Sequence, residues 1–91
     1  MDRFIDDYKR AMQVIIDKNL QGLSEVGGGL SATQKQDRAM RFSLEFDENS
    51  YRVSHSLLLK LAETERKKLV ADLAKVGAEM KQATRNIIQT S

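Results

Sequence analysis

Residues 39–56 read AMRFSLEFDENSYRVSHS, and the way they fold decides the class of the whole chain. Met40, Phe42, Leu44 and Phe46 alternate strictly with Arg41, Ser43 and Glu45. That alternation is the signature of a half-buried strand, because successive side chains of a strand point to opposite faces. Asp47, Glu48, Asn49 and Ser50 follow as a polar break of turn-forming residues. Tyr51, Val53 and His55 then alternate with Arg52, Ser54 and Ser56. Together the two runs predict a β-hairpin over about residues 39–56. A helix from Ser31 to Phe46 competes with it, with Asp47 or Ser50 capping a longer last helix. A lone hairpin is marginal unless it packs on something, so its neighbours matter.

On the C-terminal side, residues 57–89 predict a long helix. Its apolar residues fall at Leu58, Ala62, Leu69, Leu73, Val76, Met80, Ala83 and Ile87, in steps of three and four from Leu69 onward. Glu65 and Arg66 interrupt this stripe. They read either as a polar layer that fixes helix register or as a change of facing partner. On the N-terminal side, residues 2–26 predict a first helix. Asp2 serves as its cap, and Asp6 and Asp7 sit near the positive end of its dipole. Phe4, Ile5, Tyr8, Met12, Ile15, Ile16, Leu23 and Val26 form its apolar face. Gly27, Gly28 and Gly29 open a turn over residues 27–31 that stops the helix. The glycines follow a helix rather than a strand and lack the Lys-Ser/Thr of a phosphate-binding loop. In the polar segment after them, Ser31 and Gln34 have the spacing of a capping box opening a short helical turn.

The fold expected from these elements is α+β: two long amphipathic helices flanking a small β-hairpin in one domain, residues 1–91. An all-α helical hairpin or bundle is the fallback. Two helices alone make a thin core, so pairing with a second copy into a four-helix bundle, or with a helical partner, is expected to complete it.

Composition narrows the function. The 91 residues carry 15 basic and 13 acidic side chains, and a net charge of +2 does not by itself argue for nucleic acid. There is no Cys, which removes thiol chemistry and Cys-based metal sites. His55 is the one histidine, and in a strand its neighbours Ser54 and Ser56 would point away from it. Asp6-Asp7 and Asp47-Glu48 lack convergent partners for a metal or for acid–base work. The expectation is a non-enzyme with no metal, no cofactor and no small-molecule substrate. Lacking a membrane-length apolar run and a signal-peptide layout, the chain is expected to be cytoplasmic, with signal-free export the alternative.

Opposite the apolar stripe of the last helix, Lys60, Lys67, Lys81 and Arg85 fall together, with Glu63 among them. One reading is a solvated face laced by i,i+4 pairs such as Glu63–Lys67, Lys68–Asp72 and Lys75–Glu79. The other is a phosphate-contacting stripe.

Residues 61–87, LAETERKKLVADLAKVGAEMKQATRNI, resemble the helix that follows the β-rich domain of ribosome recycling factors. Leu61, Glu63, Arg66, Lys67, Leu69, Val70, Glu79, Ala83, Arg85, Asn86 and Ile87 fit that family's pattern without gaps. Met12, Ile16, Leu23 and Val26 have the spacing of its first helix, and Gly29 and Ser31 fall near its hinge. The chain departs from the family elsewhere. Gly27 and Leu30 stand where hinge arginines should be, and no proline is present. Ile88, Gln89 and Thr90 replace further arginines, and the third helix of the family is missing. The resemblance implies an RNA- or ribosome-binding factor using Lys60, Lys67, Lys81 and Arg85.

The residues themselves favour a non-catalytic protein–protein interaction module, an adaptor, chaperone-like subunit or inhibitor acting through helix packing. Its stripe would be Met12, Ile16, Leu23, Leu69, Leu73, Val76, Met80 and Ile87. Any apolar face left over after the monomer packs is then the partner site.

Overall fold

The computed structural model describes residues 2–24 and 29–90, apart from the side chains of Asp2 and Ser24, and they form three helices. Helix α1 spans Asp2–Ser24, α2 spans Ala32–Leu58 and α3 spans Glu63–Thr90. Each packs on the other two, giving a rod of 50 × 17 × 17 Å. The expected cap at the Asp2 side chain, the helix end at 25–26 and the first two glycines of the turn lie outside the described residues.

No strand occurs among the described residues, which overturns the α+β expectation. Residues 39–56 are the middle of α2, and the helix also runs unbroken through Asp47–Ser50. The polar break fails to act as one because Asp47, Asn49 and Ser50 are each otherwise engaged. Lys81 Nζ donates to Asp47 Oδ1 at 2.8 Å. Asn49 Nδ2 donates back to the Glu45 carbonyl at 2.8 Å, and its own oxygen accepts from Arg52. Ser50 shares a 2.6 Å hydrogen bond with the Tyr8 hydroxyl on α1. Tertiary partners thus absorb Asp47 and Ser50, and Asn49 bonds within α2 itself, so none of the three turns the chain.

The start of α2 is specified locally. Ser31 Oγ accepts from the Gln34 backbone N–H at 3.2 Å, and the Ser31 N–H donates to Gln34 Oε1 at 2.9 Å. This capping box opens a helix of 27 residues rather than a single turn. Before it, Gly29 has a φ of 83°, a conformation that costs glycine nothing. Ser31→Ala is expected to lower stability by about 1 kcal/mol. Urea denaturation checks this through a lower midpoint at unchanged slope.

The last helix begins later than residue 57. Leu57 and Leu58 end α2, and the N–H groups of Leu59, Lys60 and Leu61 donate to the carbonyls of His55, Leu57 and Leu58 at 3.1 Å each. Arg66 Nε then donates to the Leu61 carbonyl at 2.8 Å. The gap at Glu65 and Arg66 in the apolar stripe is therefore a helix start, with Glu63 and Glu65 at its positive end.

Tyr8, Met12 and Ile16 of α1, Ala39, Phe42, Phe46 and Leu57 of α2, and Leu69, Leu73 and Ile88 of α3 make the core. Phe42 and Phe46 pack one turn apart with their rings tilted by 53° and centroids 5.6 Å from each other. The third helix therefore supplies the covering that the two-helix picture required from a second copy. Tyr8 of α1 lies over Gly77 of α3 and is fully buried. Burial pushes its hydroxyl pKa above the ordinary tyrosine value; the Ser50 hydrogen bond opposes that shift and the charge of Asp47 adds to it.

Candidate docking face

With the core filled, the large apolar side chains left outside it identify the candidate site. Met40, Leu44 and Tyr51 lie on α2 and Leu59 on its C-cap, with Leu44 66% and Tyr51 76% exposed. At 100° per residue, Met40, Leu44 and Tyr51 fall within about 40° of one another, on the side of α2 turned away from Phe42 and Phe46. Beside them on α3, Val70 is half exposed. Tyr51, Ser54, Leu58, Val70 and Ala74 line a shallow groove of about 240 Å³ between α2 and α3. On the other flank of Tyr51, Glu48, Arg52 and His55 border a second open depression. The His55 ring lies parallel to that of Tyr51, centroids 6.1 Å apart. This face is apolar along its middle and charged along one edge.

Charged groups elsewhere tie the helices together. Lys18 Nζ and Asn19 Nδ2 of α1 donate to the Glu45 carboxylate at 2.8 and 3.1 Å. These two hydrogen bonds, Lys18 first, hold the Glu45 carboxyl below its ordinary range.

The residues expected to form the site divide. Met12, Ile16, Leu69 and Leu73 are buried, while Leu23, Val76 and Met80 are partly buried against the core. They are used up inside the monomer. Ile87 is half exposed, and Ile88 takes the buried position instead. Thr84, whose hydroxyl donates to the Met80 carbonyl at 2.9 Å, is buried where Ala83 was expected. A stripe drawn in strict three-four steps drifts off the buried line of a straight helix after two turns. The four basic residues are not equivalent either. Lys81 is spent on Asp47, and Arg85 Nη1 donates to Ser43 Oγ at 3.2 Å. Both reach across to α2 rather than along α3. Lys67 is exposed on α3, and Lys60 is exposed in the turn before it.

Sequence reasoning missed Met40, Leu44, Tyr51 and Leu59 as an outward set. The i,i+4 and i,i+7 spacing of Met40, Leu44 and Tyr51 was present, but the hairpin assignment placed Met40 and Leu44 on the same face as the phenylalanines. Among the described residues no group of three or more His, Asp or Glu side chains is arranged to hold a metal ion. No helix there is long and apolar enough to cross a membrane. Comparisons with protein-family models, curated proteins and solved structures find no match. The geometry of the described residues defines a class only: a small three-helix bundle with an exposed apolar line on α2.

Proposed function

We propose that the chain is a non-catalytic interaction module and that it engages its partner through the outer face of α2. The observation that carries this is the surplus apolar set Met40, Leu44, Tyr51 and Leu59, with Val70 alongside, outside a core that is already complete. Scattered exposed apolar residues are ordinary, whereas a line of them along one helix is the usual form of a helix-packing interface. Tyr51 is the natural anchor, because a large amphipathic ring beside a groove carries a disproportionate share of binding energy.

Affinity capture by wild type, Leu44→Asp and Tyr51→Asp chains, each with and without nuclease, tests the proposal. A bound protein that survives nuclease and is lost with both substitutions, at unchanged helix content, is the expected result. The alternative, an RNA- or ribosome-binding factor related to ribosome recycling factors, rests on the basic residues. It would show itself as binding that nuclease removes, that Lys60→Glu with Lys67→Glu abolishes, and that Leu44→Asp leaves intact.

A further inference from the structure

We infer that the face on α2 is covered by a second copy of this chain, laid antiparallel across it. The inference rests on the interaction-module reading and specifies its partner. When two identical helices pack antiparallel about a two-fold axis, each edge of the interface meets its own copy. Such an edge is self-complementary only if opposite charges stand at equal distances either side of one midpoint.

The charged edge of the α2 face has this arrangement. Asp37, Arg41, Glu48 and Arg52 are all exposed, and their signs run minus, plus, minus, plus. At 100° per residue they share an arc of about 60° beside Met40, Leu44 and Tyr51. Arg41 with Glu48, and Asp37 with Arg52, straddle the same point between Leu44 and Glu45. A two-fold rotation there brings Arg41 level with Glu48 of the second copy and Asp37 level with its Arg52. The same rotation sets the two Leu44 side chains against each other. It brings Met40 within about 3 Å of rise of the second copy's Tyr51. Within one chain Arg41 pairs with Asp37 at 2.5 Å, so these two charges already stand side by side before the copies meet. A parallel pairing would turn this edge toward the opposite edge of the second copy's face, so these four charges would not meet one another. The two charges of each sign cancel along the edge, which suits neither a polyanion nor a polycation.

Sedimentation equilibrium of the full chain over a wide concentration range is the test, in wild type, Arg41→Glu, Glu48→Arg and the Arg41→Glu/Glu48→Arg double variant. Wild type is expected to dimerise. Each single substitution breaks two symmetric contacts and should weaken the dimer tenfold or more. The double variant restores opposite charges across the axis and should recover to within about threefold of wild type. Circular dichroism controls for folding, which these exposed positions should leave intact. A chain that stays monomeric, or a double variant no better than the singles, overturns the inference. If a monomeric chain still captures a protein that Leu44→Asp abolishes, the interaction-module reading stands and only the identity of the partner falls.

Discussion

Phe42→Ala is expected to cost about 3–5 kcal/mol of stability, and Leu44→Ala no more than about 0.5 kcal/mol. Phe42 is fully buried in the core shared by the three helices and packs at a tilt against Phe46. Its loss leaves a cavity lined by core side chains that the bundle cannot close. Leu44, one turn-fraction away, is 66% exposed and its truncation removes little buried area. Small domains hold about 5–15 kcal/mol in all, so the first variant loses a large share and the second almost none. A β-hairpin over the same residues would bury both side chains on one face and make both truncations expensive. Paired urea denaturation curves measure the difference directly.

The hairpin error has a definite physical origin. Met40 and Leu44 form one i,i+4 helical pair, pointing outward. Phe42 and Phe46 form another, pointing inward. Interleaved two residues apart, the two pairs reproduce strict alternation, which hydrophobicity alone reads as period two. The next segment repeats the effect, with Tyr51 and His55 outside and Val53 and Leu57 turned inward. The polar residues from Asp47 to Ser50 then looked like a turn. Their partners Lys81 and Tyr8 lie more than 30 residues away in sequence, where local propensity cannot see them. What was legible is what depends on local spacing: the helical period of α1 and α3 and the Ser31–Gln34 capping box. The outward face was not legible, because it exists only once Phe42 and Phe46 are assigned to the inside.

Gly77→Ala should destabilise the bundle by about 1–2 kcal/mol, the opposite of its usual effect in a helix. Replacing a helical glycine by alanine ordinarily gains about 1 kcal/mol. Here an added Cβ would run into the Tyr8 hydroxyl oxygen, well inside van der Waals contact. That oxygen sits at the end of a rigid ring, is fully buried and is held by Ser50, so it cannot move aside cheaply. Overpacking of this kind costs about 1–3 kcal/mol, and more where a rigid group is hit. The Tyr8 ring carbon lies at 3.4 Å, an ordinary contact. Tyr8→Phe should therefore relieve the clash, and the Gly77→Ala/Tyr8→Phe double variant should be more stable than Gly77→Ala alone. Thermal unfolding of the four chains forms a double-mutant cycle with a favourable coupling energy. A Gly77→Ala chain more stable than wild type would mean that α1 and α3 do not approach at this point.

Gly77 also shows how far sequence could reach within α3. Its role is to be absent, and no apolar pattern marks it. Thr84 is buried although polar, because its hydroxyl turns back to the Met80 carbonyl. With these two positions invisible, the stripe drawn through Ala83 and Ile87 was the best periodic fit, and Ile88 was missed.

As proposed, α2 keeps Phe42 and Phe46 for the core and offers Met40, Leu44 and Tyr51 to a partner. Leu44→Asp measured against wild type tests both halves at once. Thermal unfolding is recorded on samples dilute enough to be monomeric, and sedimentation equilibrium on concentrated ones. The predicted result is an unchanged unfolding temperature together with loss of self-association. A collapse of the unfolding temperature would place Leu44 in the core, and intact association would place the interface elsewhere; either result contradicts the claim.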